Sequence, residues 1–75
     1  MMTTSQLQSL VFTGGSIIVD ANDLTASSLQ SIAFTAKTHN SIIVIKNASK
    51  LTSSQCNSIA FSGGQKGNIV FDFTE

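Results

Sequence analysis

Apolar residues fall along this chain in two alternating rhythms. In three places they recur at intervals of three and one: Leu7, Leu10 and Val11; Leu29, Ile32 and Ala33; Cys56, Ile59 and Ala60. That spacing marks a narrow buried stripe on a short helix. After each comes a compact run rich in β-branched and aromatic residues: SIIVDA (16–21), SIIVIK (41–46) and NIVFDF (68–73). Such runs suit strands. The predicted order is αβαβαβ.

The helical segments are copies of one another. LTASSLQSIAF (24–34) returns as LTSSQCNSIAF (51–61), with 7 of 11 residues identical, and MTTSQLQSLVF (2–12) is a third copy. Self-similarity at this spacing signals a repeat architecture, with repeats at about 2–21, 24–46 and 51–73. Thr3, Thr25 and Thr52 stand where an N-cap hydroxyl is needed. Gln6 and Gln55 complete a capping box in copies one and three, while copy two has Ser28 there. Met2, Leu24 and Leu51 precede the caps, and Leu7, Leu29 and Cys56 follow four residues after them, the spacing of a hydrophobic staple. Three helices of about ten residues follow. They end in the turns TGG (13–15), TAKTHN (35–40) and SGGQKGN (62–68), with Gly14 and Gly63 expected as left-handed C-caps.

Strands alternating with short helices imply parallel pairing. The expected fold is therefore α/β: three tandem helix–strand repeats in one small domain, residues 1–75. They form a parallel three-stranded sheet with the helices on one face, solenoid-like in its stacking. Alignment of the Ser-Ile-Ile-Val runs turns Ile17, Val19, Ile42, Val44, Ile69 and Phe71 toward the helices. Ile18, Asp20, Ile43, Ile45, Val70 and Asp72 then lie on the other face, which no remaining segment covers.

Composition sharpens this picture. A chain of 75 residues builds only a marginal core unaided. One cysteine and one histidine exclude an internal disulfide and a cluster of soft metal ligands, leaving oligomerisation or a longer parent chain as support. Ser and Thr make up 20 residues, yet 41% of the chain is hydrophobic and patterned, which favours a folded domain over disorder. Four basic and four acidic residues offer no basic patch for nucleic acid and no polybasic membrane anchor. No apolar run approaches a membrane span. The start, MMTTSQLQSL, lacks the basic and apolar regions of a signal peptide. With a free thiol, this points to a reducing, cytoplasmic setting.

The stretch NDLTASSLQSIAFTAKTHNSIIVIKN (22–47) resembles the leucine-rich repeat with a helical outer side. Ile17, Val19, Asn22 and Leu24 fit its pattern. Ile42, Val44 and Asn47 do too, with Leu51 displaced by a two-residue insertion. Copy three departs, with Thr74 at the equivalent place, and Gly14, His39 and Lys66 replace the first leucine. The resemblance implies structural roles for Asn22 and Asn47, bonding backbone between coils. It further implies a curved βα stack that binds protein and carries no enzyme chemistry.

The residues with chemical potential have ordinary readings. Cys56 fills the slot of Leu7 and Leu29 and reads as a small core hydrophobe rather than a nucleophile. His39 reads as a turn residue rather than a general base. SGGQKG (62–67) follows a helix and precedes a strand, the reverse of a phosphate loop. Asp20 and Asp72 occupy equivalent strand positions with Ile45 between them. Across an intervening strand their carboxylates are about 9–10 Å apart, too far for one ion, and Asp23 reads as solvated. No cofactor is implied. Phe12, Phe34 and Phe61 recur off the main stripe, either packed between helices or forming an exposed aromatic row.

The expected function is a non-enzymatic, self-associating protein–protein interaction module, with a homodimer favoured. Ile18, Ile43, Ile45, Val70, Phe12, Phe34 and Phe61 are its candidate interface. Two other readings stand beside it. One is a small-molecule pocket at the C-terminal strand ends, near Ala21, Asn22, Lys46, Asn47 and Phe73. The other is a piece of a longer repeat or effector protein.

Overall fold

A computed structural model describes residues 3–64 and 66–74. Three α-helices alternate with three short strands: α1 (Thr4–Phe12), β1 (Ile17–Asp20), α2 (Ala26–His39), β2 (Ile43–Lys46), α3 (Ser53–Ser62) and β3 (Ile69–Phe71), with a 3-10 turn at Ala48–Lys50 before α3. The strands form one parallel sheet in the order β1-β2-β3. The sheet does not curl, so the solenoid curvature expected from the repeat is not seen.

Each helix begins as its local sequence dictates. Thr3 and Thr52 accept from the N–H of Gln6 and Gln55 at 3.2 Å, and both glutamines return a bond to the cap N–H at 2.9 Å. Thr25 accepts from Ser28 N–H at 3.1 Å. Ser28 closes no box: its hydroxyl accepts from Thr25 Oγ1 and from Thr4 Oγ1 of α1, each at 3.1 Å, rather than from the cap N–H. Met2, the first staple residue, lies outside the described residues.

The helix ends differ from expectation in copies two and three. TAKTHN is not a turn: α2 runs through His39, and Asn40 at φ 57° closes it. Ala36 extends the buried stripe by one turn and no glycine interrupts it. In copy three Gly63 has φ −76°, and Gly64 at φ +89° takes the left-handed position instead. Gly63 is needed for another reason. A Cβ there would lie 2.5 Å from the Ile69 side chain, so the end of α3 presses directly on β3.

The core lies between the helix layer and one sheet face. Leu29, Ile32, Val11 and Ile59 from the helices meet Ile43 and Ile45 from β2, all fully buried, with Val19 beside them. Burying an aliphatic side chain of this size contributes about 1.5–3 kcal/mol.

The phase of β2 corrects the sequence reading. Ile17 pairs with Ile43 and Ile43 with Ile69, so Ile43 and Ile45 point into the core, not onto the open face. Four successive apolar residues, Ile42 to Ile45, carry no alternation that could set the phase, and a one-residue slip inverts every side chain. Tertiary contacts set it instead. Ser41 is buried, its N–H bonded to Ala36 O and its hydroxyl donating to Val11 O at 3.4 Å. With Ser41 tucked behind α1, Ile42 turns outward, its N–H donating to Ser16 Oγ at 3.1 Å. Asn68 then anchors β3 by donating to Ser41 O at 2.9 Å.

Candidate functional site

The sheet face turned away from the helices is the first candidate. Its central row is Ile18, Val44 and Val70, in register across the three strands. Ile18 is 67% exposed and Val70 44%, and Ile42, one residue before β2, is 48% exposed. Of the expected interface residues, Ile18 and Val70 are on this face. Ile43 and Ile45, at 1% and 0% exposure, are not. Val44 and Ile42 replace them, and an alignment on the last charged residue of each strand would have found the pair.

That alignment also places Lys46, not Ile45, opposite Asp20. Just past β3, Asp72 follows Phe71, which pairs with Ile45. A charged row of Asp20, Lys46 and Asp72 thus borders the apolar row at the C-terminal strand ends. The Asp20 carboxylate accepts from Asn47 Nδ2 at 2.9 Å and from Asn22 N–H at 2.8 Å. Those bonds, with the nearby Lys46 charge, hold its carboxyl below the usual carboxylate range. Asp72 is held down in the same direction by the Thr74 hydroxyl and N–H, and by Lys46. Asn47 sits at φ 57°, a left-handed conformation that Asn tolerates. Its side chain bonds the Asp20 carboxylate, whereas the leucine-rich-repeat resemblance implies bonds to backbone.

The second candidate lies on the helix layer. Phe12, Phe34 and Phe61 are 64%, 57% and 69% exposed, so the aromatics do not pack between helices. Phe12 meets His39 edge-on, with ring centroids 4.4 Å apart, and Lys37 Nζ lies 5.3 Å from the Phe34 ring centre. His39 is therefore the last residue of α2 and half-buried, not a loop residue.

The remaining candidates stay apart. A shallow cavity of about 250 Å³ opens at the C-terminal end of β1, between Leu7, Val19, Leu24, Asp20, Asp23 and Lys46. Of the residues expected to form a pocket at the strand ends, Lys46 alone lines it, and Ala21 is buried in the core. The Asp20 carboxylate at this cavity is held by its two asparagine bonds. Cys56 is half-buried and burial pushes its thiol up, away from the thiolate a nucleophile needs. Among the described residues no group of three or more His, Cys, Asp or Glu is placed to hold a metal, and no helix is long and apolar enough to cross a membrane. Compared with known proteins, the chain matches no family model, no curated relative and no solved structure.

Proposed function

We propose that this protein is a self-associating interaction module and that a second copy covers the helix-free face of its sheet. The observation that carries this reading is the row of exposed Ile18, half-buried Val44 and exposed Val70, with exposed Ile42 beside it. Contiguous apolar patches on a sheet face mark association surfaces far more often than free ones. Two sheets stacked face to face sit about 10 Å apart and interdigitate their inner rows. The charged row of Asp20, Lys46 and Asp72 falls at one end of the patch, where it supplies a solvated polar rim.

The test is light scattering after size exclusion over a hundredfold dilution. The native chain is expected to elute as a dimer or larger species. Ile18→Lys and Val70→Lys each place a charge in the open-face row without entering the core, and are expected to abolish face-to-face pairing with unchanged circular dichroism. An oligomer indifferent to both substitutions overturns the sheet face as the surface. Ile43→Lys cannot serve here, because Ile43 is core and its loss unfolds the chain.

A further inference from the structure

We infer that the two ends of the repeat stack are complementary to each other, so that copies of this chain associate head to tail. The α3–β3 end of one copy would seat against the α1–β1 end of the next. The inference rests on the same self-association reading but uses a different surface from the open sheet face.

Burial at equivalent positions carries it. Counted from the N-cap threonines, Leu10, Ile32 and Ile59 are equivalent, as are Val11, Ala33 and Ala60. Ile32 and Ile59 are fully buried, and each belongs to a repeat that has another before it. Leu10 lies in the first of the three repeats described and is 40% exposed. The neighbouring position behaves in the opposite sense. Val11 and Ala33 are fully buried, each in a repeat with another after it, while Ala60 is only half-buried. One side of each helix is thus built to receive the preceding repeat and the other to receive the following one. Leu10 and Ala60 are the two halves of that interface left open.

The sheet repeats the pattern. Ile43 and Ile45 of the central strand are buried completely, whereas Ile17 on one edge and Ile69 and Phe71 on the other are half-buried. β1 pairs with β2 and β2 with β3 at the same offset of 26 residues (43 − 17 and 69 − 43). Pairing Ile69 of one copy with Ile17 of the next would repeat the relation a third time. Continuity with this internal interface identifies the occupant as another copy rather than an unrelated partner. Neither α1 nor α3 contains a charged residue; in the sheet the same offset sets Asp72 of one copy opposite Asp20 of the next, a like-charge pair that opposes the contact while both are ionised. Because the two contacting surfaces differ, the contact is heterologous and makes a ring or an open filament rather than a two-fold dimer.

A mixing experiment tests this. In an Ile18→Lys background, which removes face-to-face pairing, Leu10→Glu blocks one end of every copy and Ala60→Glu the other, so each variant alone is expected to be monomeric. A mixture retains one intact end from each partner. It should form a 1:1 complex of twice the chain mass, greatest at equal stoichiometry, with helical circular dichroism unchanged throughout. Leu10→Gln and Ala60→Gln repeat the experiment should a Glu variant lose its helical signal. Two results overturn the inference: end variants as oligomeric as their Ile18→Lys parent, or a mixture that stays monomeric. An assembly untouched by both end variants but dispersed by Ile18→Lys would leave the sheet-face reading standing alone. A native chain that is monomeric at every concentration overturns both.

Discussion

The carboxylate of Asp20 ties together two repeats. It accepts from Asn22 in its own turn and from Asn47 in the next repeat, so its charge joins the end of β1 to the end of β2. Because these bonds and Lys46 lower its folded pKa, the ionised form is favoured by folding. That contribution is fully present above the ordinary carboxylate value of about 4 and is lost as pH falls through the lower folded value. Asp72 is shifted in the same direction and adds to the effect. Urea midpoints are therefore expected to fall on acidification below about pH 4. Asp20→Asn should flatten that acid limb while keeping a hydrogen-bonding side chain in place. An equally steep limb in the variant would show that the linkage lies elsewhere.

Among the elements, the helix starts were fully legible and the strand phases were not. A cap is a local event: Thr3 and Gln6, or Thr52 and Gln55, are three residues apart and satisfy each other wherever the helix goes. The absent third box is legible in Ser28, whereas the bond that its hydroxyl accepts from Thr4, twenty-four residues away, is not. The end of α2 was missed because nothing in Thr35–His39 stops a helix. The phase of β2 was missed because Ile42–Ile45 is apolar throughout, and only Ser41 packing behind α1 decides which isoleucines go in. Phe12, Phe34 and Phe61 are exposed because among the described residues no further layer covers the helices, which periodicity alone does not report. The corrected phase makes a sharp prediction. Ile45→Ala should cost about 2–5 kcal/mol as a core cavity, whereas Ile42→Ala should stay within about 0.5 kcal/mol, as surface changes do. Urea denaturation of the two variants measures both, and the reverse order would restore the original phase.

At the scale of the whole molecule, two layers enclose a small core, and both the sheet face and the stack ends leave apolar surface uncovered. Association on either surface adds stability by mass action, since a partner binds the folded chain and not the unfolded one. The concentration dependence of unfolding then distinguishes the two geometries. In a closed dimer the free monomer rises as the square root of total concentration. Each tenfold rise therefore stabilises a chain by half of about 1.4 kcal/mol. In an open head-to-tail chain the free monomer saturates near the dissociation constant, and the full increment of about 1.4 kcal/mol per tenfold accrues to every copy. For a domain of this size, 1 kcal/mol moves the melting temperature by about 4–8 °C. The head-to-tail geometry thus predicts a rise of about 6–11 °C per decade of concentration above its dissociation constant, and face-to-face pairing about half of that. A melting temperature independent of concentration would mean that neither surface is occupied by a second copy.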